Sequence, residues 1–459
     1  MHTRSGRTSG RAAAEPARRA PLRVLVLGGG FGGVAVALAL EKGLAREAGV
    51  EVTLVNRDNF FLFTPMLHEV AASDLDITHI VSPIRKILKR VRFFSGALES
   101  IDLERKRVAV AHGGERHPHV LEYDHVVLAL GSVTNFFGLE GVEERALTMK
   151  SLGDAIRLRN RMIRNLEEAD FECRSLDRRR LLTFVVAGGG FAGVETAAAM
   201  LDFLHDAVRF YPNLRAEEVR VVLVHAGDVI LPELSRKLGL YAQRKLGQRG
   251  VDIRLGAKVV AQSDRSVTLG DGSRIDSGTL VWTAGTAAHP LLATLPCRLD
   301  RGRVVVDETL AVPGCEGVWA LGDCAVVPDA ATGKPHPPTA QHALREGRTL
   351  ARNIRAAVRG GRLRPFRFRT LGQLAAIGRR TGVANILGVS FSGFVAWWLW
   401  RTIYLMKLPR FERKCRVVLD WTLDLFFTKD LVQLDSATTA SETVVTEKGA
   451  SVPAAAAAP

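Results

Sequence analysis

The chain has few cysteines, and their spacing does not suit cross-linking. The five lie at positions 173, 297, 315, 324 and 415 of 459 residues, and no two of them form a C-x-x-C pair. A small secreted disulfide protein would carry an even set of cysteines, and a cysteine zinc site would need closely paired ligands. The sequence therefore excludes a disulfide framework and predicts no metal site.

Excess charge is missing from most of the chain, although the formal net charge is +15. Residues 1–23 contribute +5 and residues 366–416 contribute +9, so the remaining 385 residues carry only +1. The basic residues of the C-terminal segment interleave with apolar ones and do not form a polar groove. Nucleic acid is therefore excluded as the expected partner, and an anionic lipid surface is favoured.

The N-terminal arm lacks the long apolar stretch of a secretory signal. Residues 1–21 are rich in Arg and contain one acid, Glu15. This composition predicts a disordered basic arm, with a transit peptide as the alternative. Residues 436–459, which end in an Ala-rich run, are predicted to form a disordered tail.

A pattern that occurs twice is the strongest signal present. LRVLVLGGGFGGVAVALAL at 22–40 and LTFVVAGGGFAGVETAAAM at 182–200 each pass from an aliphatic strand through Gly-x-Gly-x-x-Gly into an Ala-rich helix. The three glycines allow a tight turn, the approach of a pyrophosphate, and close packing of helix on strand. They are Gly28, Gly30 and Gly33 in the first copy and Gly188, Gly190 and Gly193 in the second. The repeat predicts an α/β chain with two Rossmann-type dinucleotide-binding domains.

Later strands place small or polar residues at their carboxyl ends, where ligands of parallel sheets bind. Asn56 and His225 end the second strand of each unit, Gly131 and Gly285 end a later strand, and Asp323 follows a buried run. All five are predicted to line cofactor sites. Asp323 is suited to accept a hydrogen bond from a ribityl hydroxyl of a flavin.

Four further segments carry a narrower resemblance. They are NFFLFTPMLHEVA at 59–71, GSVTNFFG at 131–138, PTAQHA at 338–343 and LGQLAAIG at 371–378. With the glycine motifs, they resemble the type II NADH:quinone oxidoreductases, which are non-pumping members of the two-dinucleotide-binding flavoprotein superfamily. Over about residues 22–430, the resemblance implies hydride transfer from NADH to FAD and two-electron reduction of a membrane quinone. Disulfide reductases of the superfamily are excluded because residues 34–75 hold no cysteine.

The resemblance also implies a domain plan. An FAD-binding domain is expected over 22–150 and 288–355, and an NAD(P)H-binding domain over 151–287. A membrane-anchoring region with helices is expected over 356–435.

Two residues are candidates for the chemistry. Glu195 is predicted in the first turn of the second glycine-motif helix, and by resemblance it faces the junction of nicotinamide and flavin. The alternative is a favourable helix-dipole contact. Gln341 lies in a segment that lines the quinone pocket in the family, where an amide can donate without adding charge. The alternative is an ordinary polar residue at a helix start, and Arg345, where the family usually has a second Gln, leaves the quinone type open.

His225 stands where an acid normally accepts the ribose 2′-hydroxyl of NADH. No Arg follows in Ala226–Asp228 to bind a 2′-phosphate, and Asp228 could replace the missing acceptor. The sequence therefore favours NADH, with NADPH as the alternative. Asn56, at the equivalent place for FAD, can still hydrogen-bond a ribose.

The C-terminal segment contains a 21-residue apolar run, 386–406, with Arg401 as its one charge. Tryptophans at 397, 398, 400 and 421 are suited to a membrane interface, and five basic residues between 407 and 416 are suited to anionic headgroups. Arg416, Asp420, Asp424 and Thr428 form the polar stripe of a predicted amphipathic helix. We expect a monotopic anchor of two helices on the cytoplasmic face of a bacterial inner membrane. The alternatives are a spanning helix, a core hairpin or homodimer contact, and a mitochondrial location.

Three other functions remain open at this stage. Sulfide:quinone oxidoreductase shares the fold but needs paired reactive cysteines, and another FAD/NAD(P)H reductase would share the glycine motifs. A flavin redox sensor of low turnover is the alternative from a different class.

Overall fold

The computed structural model describes residues 20–329 and 331–434. Most of the predicted basic arm (1–21) and all of the predicted tail (436–459) lie outside the described residues. The chain divides into two compact units. The first unit takes the described residues up to Phe61 together with Pro83–Val133 and Ala287–Thr370. The second takes Leu62–Ser82, Thr134–Thr286 and the described residues from Leu371 onward.

The helices of the described residues vary from a single turn to twenty residues. They are α1 Phe31–Glu41, α2 Leu67–Ala71, α3 Ile84–Ile87, α4 Val142–Arg145, α5 Leu152–Phe171, α6 Ser175–Leu181, α7 Phe191–Ala207, α8 Arg236–Arg249, α9 Ala340–Val358, α10 Phe394–Lys407 and α11 Phe411–Leu423.

The strands of the described residues are short. They are β1 Leu22–Leu27, β2 Val50–Asn56, β3 Phe60–Leu62, β4 Val81–Pro83, β5 Arg92–Ser95, β6 Ala97–Asp102, β7 Arg107–His112, β8 His117–Glu122, β9 His125–Leu128, β10 Ser132–Thr134, β11 Leu147–Thr148, β12 Thr183–Ala187, β13 Arg220–Val224, β14 Val251–Arg254, β15 Val259–Gln262, β16 Ser266–Leu269, β17 Arg274–Asp276, β18 Thr279–Trp282, β19 Thr286–Ala288, β20 Leu299–Asp300, β21 Arg303–Val305, β22 Val318–Ala320, β23 Ala325–Val326, β24 Gly372–Ala376, β25 Gly382–Ile386 and β26 Val389–Gly393.

The first unit is built on a parallel five-stranded sheet in the order β22-β9-β1-β2-β5. Its central strand β1 is an aliphatic run that is buried from Val24 onward, as expected for a strand covered on both faces. Two smaller sheets, β6-β7-β8 and β20-β21-β23, belong to the same unit. Helix α9 packs against α1, and the two backbones approach closely at Gly347, where a Cβ would lie 2.9 Å from the carbonyl oxygen of Gly32.

The second unit repeats this plan with a parallel sheet in the order β11-β18-β12-β13-β14. All five residues of the central strand β12 are buried. Because each glycine motif follows the central strand of its sheet, each motif lies at the edge where nucleotides bind in open parallel sheets. The α/β fold with two Rossmann-type units is therefore confirmed.

Both glycine motifs have the same local geometry. Gly28 and Gly188 have φ of +109° and +113°, a region that residues with a Cβ rarely adopt. A Cβ on Gly33 would overlap the carbonyl oxygen of Gly28, and a Cβ on Gly193 would overlap that of Gly188. The turn and the close packing of helix on strand therefore both require glycine at these positions.

The second unit also contains a short segment from early in the chain and the C-terminal segment. Helix α2 packs against α5 and α7, and α7 also contacts β24. Strands β24, β25 and β26 form an antiparallel sheet against which α10 packs. Thus α2, from residues 62–82, and the segment after residue 371 surround the helix that carries Glu195.

The structure corrects the expected form of the apolar run 386–406. Its first residues belong to the β25–β26 hairpin, and only 394–406 are helical. Gly388 and Gly393 have φ of +87° and +74°, which permits the hairpin turn and the break before α10. No helix formed by residues 20–329 and 331–434 has both the length and the apolar character that a membrane crossing needs.

Candidate active site

In the first unit, the glycine loop is held by the side chain that ends β2. The Asn56 Oδ1 accepts a hydrogen bond from the backbone N–H of Gly29 at 2.8 Å, while its Nδ2 donates to the carbonyl oxygen of Asp58 at 2.7 Å. A Cβ placed on Gly30 would meet nothing within 4 Å. The loop is thus fixed from one side and open on the other, which fits a bound pyrophosphate.

Asp323 lies in a 3₁₀ turn, Gly322–Cys324, directly after β22. Its Oδ2 accepts a hydrogen bond from the Ser132 hydroxyl at 3.1 Å, next to Gly131, whose φ is +65°. The structure therefore brings the predicted Asp323 and Gly131 together at the carboxyl edge of the first sheet. Both lie at the edge where ligands bind in open parallel sheets.

Glu346 is a residue that the sequence reasoning missed. Its carboxylate accepts the backbone N–H of Gly322 at 2.8 Å, and burial raises its pKa to about 7. It lies on α9, five residues beyond Gln341, and so joins this helix to the Asp323 turn. The one signal in the sequence is its position directly after Arg345, which stands where the family usually has a second Gln.

Gln341 is the second residue of α9, and Thr339 is the N-cap of this helix. The Arg345 guanidinium turns back along the helix and donates to the backbone carbonyl oxygen of Gln341 at 2.8 Å. It also lies 4.1 Å from the ring centroid of Phe368. Arg345, which stands where the family usually has a second Gln, therefore has both of these partners within the first unit.

In the second unit, His225 takes the place of Asn56. It follows β13 directly, and its Nδ1 accepts the backbone N–H of Gly189 at 3.1 Å. Gly285 lies near Phe137, because a Cβ on Gly285 would be 2.6 Å from that ring. In both glycine loops, the residue that ends the second strand accepts the N–H of the middle glycine, through Asn56 in one unit and His225 in the other.

Glu195 lies in the second turn of α7, as its fifth residue, so the prediction of the first turn was wrong. A helix-dipole contact is weak there, because the effect falls off within the first turn. Instead, the buried Oε1 accepts the N–H of Ala376 at 3.1 Å and the indole N–H of Trp400 at 3.0 Å. Burial raises the pKa of Glu195 to about 8, against the lowering effect of these two donors.

Two neighbouring residues on α2 extend the buried polar group around Glu195. His68 places its Nδ1 3.8 Å from the Oε2 of Glu195, and burial lowers the pKa of this imidazole to about 4. The carboxyl of Glu69 is also buried, and burial raises its pKa to about 8 despite the nearby Arg401. At neutral pH, two buried carboxylic acids therefore lie beside one neutral histidine.

The tryptophans of the C-terminal segment are predicted to lie at a membrane interface, but the structure buries two of them. The indole of Trp400 is fully buried on Glu195, and the indole N–H of Trp421 donates to the Oε2 of Glu69 at 3.3 Å. Trp398 is the one whose side chain is mostly exposed. Indole N–H groups satisfy buried acids here, so the prediction of an interfacial role for Trp400 and Trp421 was wrong.

The predicted orientation of α11 is also corrected. Its Asp420 is paired with His79, and its buried Trp421 accepts the Arg401 guanidinium 4.5 Å from the ring centroid. The helix ends at Leu423, so Thr428 lies beyond it. The expected polar stripe thus includes a residue that faces the protein, while apolar residues of α11 face outward.

The five cysteines form no disulfide bond in the structure. All five are free, and burial raises the pKa of Cys324 to about 11. No group of acids, histidines and cysteines among the described residues is arranged to hold a metal ion.

The buried Glu69 predicts an unusual dependence of stability on pH. Its pKa is raised from 4.5 to about 8 in the fold, so between these pH values the folded state binds more protons than the unfolded state. The Glu69 contribution to stability is therefore present at low pH and is lost as pH rises towards 8. We expect Glu69→Gln to have the same urea midpoint as the parent at pH 4, below the unfolded pKa of Glu69. At pH 9, it should be more stable by more than about 1 kcal/mol.

Glu217→Gln, at an exposed acid of the same unit, is the control and should show no such divergence. A Glu69→Gln variant whose stability relative to the parent is equal at both pH values would contradict the raised pKa.

Comparison with known proteins matches both parts of the chain. Residues 22–347 match the pyridine nucleotide-disulphide oxidoreductase family, and residues 371–430 match the NDH2 C-terminal domain. A type II NADH:quinone oxidoreductase of Mycobacterium tuberculosis is 33% identical over 432 residues, covering 91% of this chain and 90% of that protein. A protein of the same name from Staphylococcus aureus is 28% identical, covering 81% and 91%.

A solved structure of NDH2 from Plasmodium falciparum in complex with NADH is similar in fold. It superposes with a TM-score of 0.83 at 20% identity, over 90% of this chain and 99% of that chain. The family expected from the sequence is thereby confirmed. The chain belongs to the type II NADH:quinone oxidoreductases, within the pyridine nucleotide-disulphide oxidoreductase family.

Proposed function

We propose that this chain oxidises NADH and reduces a membrane quinone, with FAD in the glycine loop of the first unit and NADH in that of the second. The observation that carries the proposal is the repeated strand–loop–helix unit, in which Asn56 and His225 hold the two loops in the same way. The names of the relatives support the same reaction. FAD-dependent NADH:quinone reduction is thus the function that best fits the chain.

The first unit offers three residues suited to FAD. Gly30 leaves the loop open to the pyrophosphate, Asn56 holds that loop, and Asp323 would accept from a ribityl hydroxyl. When bound, FAD accepts a hydride from NADH and passes two electrons to the quinone. The protein contributes binding, orientation and control of protons.

The net reaction, NADH + H⁺ + quinone → NAD⁺ + quinol, takes up one proton. Glu195 is suited to hold a proton because its raised pKa keeps it protonated at neutral pH. Its Oε1 is occupied by the donors of Ala376 and Trp400, which leaves the Oε2 for the exchangeable proton. We assign Glu195 the role of acid–base group of the second unit.

Gln341 is assigned to the quinone. As the second residue of α9, it lies at a helix start, and its amide can donate to a quinone carbonyl without an added charge. The binding of Arg345 to its own helix and to Phe368 keeps the cation from replacing the amide in this role.

The cysteines argue against sulfide:quinone oxidoreductase. That chemistry needs a pair of reactive thiols, whereas Cys324 is buried with a raised pKa, and Cys173 is exposed. A low thiolate fraction makes Cys324 a poor nucleophile.

We further propose that the second unit binds an anionic lipid surface through α10 and α11. Large apolar side chains of these helices and the turn after them are exposed: Phe394, Val395, Trp398, Met406, Phe411, Val418, Leu419, Leu423, Leu425, Phe426 and Phe427. We call this set the apolar surface. Exposed apolar patches of this kind mark interaction sites.

The charge beside the apolar surface favours lipid over a second copy of the chain. Lys407, Arg410, Arg413, Lys414 and Arg416 lie in the same stretch, against the single acid Glu412. Basic residues near an anionic surface contribute about 1 kcal/mol each, whereas two identical basic surfaces repel each other. Since nicotinamide nucleotides are supplied in the cytoplasm, we place this contact on the cytoplasmic face of the membrane.

The function is tested by the absorbance of the flavin. Anaerobic NADH should bleach the bound flavin, and a short-chain quinone should restore its colour, because hydride entry and electron exit both occur through FAD. Stopped-flow spectroscopy of the purified, FAD-loaded chain measures both steps. Bleaching without reoxidation by quinone would support the redox sensor instead, and no bleaching would refute the proposal.

The role of Glu195 is tested by the pH dependence of quinone reduction. Glu195→Gln keeps an oxygen to accept from Trp400 but cannot exchange a proton, so kcat should fall at least about ten-fold. The parent should lose activity on the alkaline side near pH 8, and the variant should lack this limb. Glu69→Gln, which makes the same change at the neighbouring buried acid on α2, is the matched control for Glu195→Gln.

Because Glu69 raises the pKa of Glu195, Glu69→Gln should only move the alkaline limb to lower pH. A Glu195→Gln enzyme with parental kcat and pH profile would contradict the assignment.

The lipid contact is tested by flotation with liposomes. Phe411→Asp combined with Phe426→Asp places two charges in the apolar surface and should abolish co-flotation with vesicles that contain anionic lipid. Phe171→Asp is the control, because Phe171 is 80% exposed, as is Phe411, but lies on α5 and is not part of the apolar surface. Parental flotation of the double variant would refute the proposal, and a dimer that it disrupts in light scattering would favour a second copy as the occupant.

A further inference from the structure

The end of β13 lacks the group that normally selects NADH. In dinucleotide-binding units an acid at this position accepts the ribose 2′-hydroxyl and repels a 2′-phosphate. Here the position holds His225, whose ring lies against the glycine loop. The end of this strand therefore has no carboxylate to exclude a phosphorylated ribose.

The hydrogen bond of His225 fixes which ring nitrogen carries its proton. Because Nδ1 accepts the N–H of Gly189, the neutral ring has its hydrogen on Nε2. The ring is packed between two glycines, since a Cβ on Gly189 would lie 2.6 Å from its Cγ and a Cβ on Gly227 would lie 2.9 Å from its Nε2. His225 thus presents a donor, which suits a phosphate oxygen and cannot act as an anionic acceptor.

The acid that could replace the missing acceptor is already paired. Asp228 forms an ion pair with Arg236, the first residue of α8, and this pairing lowers the pKa of Asp228. The other acid of the loop, Glu233, lies against Gly190, because a Cβ on Gly190 would approach its Oε1 at 3.3 Å. Asp228 is therefore paired with Arg236 in this arrangement and would have to leave that partner to accept a ribose hydroxyl.

Arg236 supplies the cation that the three residues after His225 lack. The side chains of Arg236 and Asp228 are 65% and 72% exposed, and exposed ion pairs of this kind are weak. A phosphate can take over the guanidinium, since Arg binds phosphate through two parallel hydrogen bonds. The His225 ring lies against Gly227, which directly precedes Asp228, so the ring and the Asp228–Arg236 pair lie in one neighbourhood.

We propose that His225 and Arg236 form a subsite for the 2′-phosphate of NADPH, so that this chain oxidises NADPH as well as NADH. This inference rests on the proposed function of the second unit. NADPH gives up the same hydride, and the net reaction is NADPH + H⁺ + quinone → NADP⁺ + quinol. The phosphate replaces Asp228 as the partner of Arg236 and accepts from the Nε2–H of His225.

The subsite is tested first by binding alone, with the FAD-loaded full chain. Isothermal titration should show that adenosine 2′,5′-bisphosphate binds about ten-fold more tightly than adenosine 5′-monophosphate, which lacks the 2′-phosphate. Equal affinities would overturn the proposal. This measurement does not depend on quinone reduction, so it stands apart from the test of the proposed function.

Variants then assign the effect to the two residues. Arg236→Gln should lower the ratio of kcat/KM for NADPH to that for NADH about ten-fold, and should remove the preference for the bisphosphate. Lys237→Gln, which removes a charge from the adjacent exposed position of α8, is the matched control and should leave both ratios unchanged. His225→Glu should lower the KM for NADH and raise that for NADPH.

The outcomes separate the two proposals. Bleaching of the flavin by NADH but not by NADPH would keep the proposed function and overturn the subsite. An Arg236→Gln variant with parental ratios would likewise overturn it. Bleaching by neither nucleotide would refute the proposed function, while the titration would still report on the phosphate subsite.

Discussion

The burial of Glu195 is the constraint on which the second unit depends. A carboxyl on α7 is removed from water by β24 and α10, and those same elements supply the backbone N–H of Ala376 and the indole N–H of Trp400 that satisfy its Oε1. A buried polar group without partners would cost free energy on the order of 1–3 kcal/mol. The C-terminal segment therefore sets both the proton affinity of Glu195 and its own position in the unit.

Glu69 is a second buried carboxyl that is satisfied by the C-terminal segment. The indole of Trp421 serves this carboxyl, and Arg401 lies between the rings of Trp397 and Trp421. As a result, the indoles of Trp400 and Trp421 face the protein, while other side chains of the two helices, such as Phe411 and Val418, are exposed. The proposed lipid surface follows from how the buried acids are satisfied.

The parts of the fold that the sequence predicted are those encoded locally. Gly28 and Gly188 need their backbone conformation whatever surrounds them, so the two nucleotide units were predictable from a single motif each. Trp400 and Trp421 were misplaced because their partners, Glu195 and Glu69, are 205 and 352 residues away in sequence. Arg236 was missed for a related reason, since the prediction considered only the three residues after His225, while the arginine returns to Asp228 from the start of α8.

The central claim is that Glu195 is a buried acid that remains protonated at neutral pH, and infrared spectroscopy tests it most directly. In a pH titration of the FAD-loaded chain, we predict a carboxylic acid C=O band at pH 7 that converts to a carboxylate band near pH 8. Glu195→Gln should remove the Glu195 part of that band and leave the part that belongs to Glu69. A Glu195 that is already a carboxylate at pH 6, seen as no loss of the acid band in Glu195→Gln, would contradict the account.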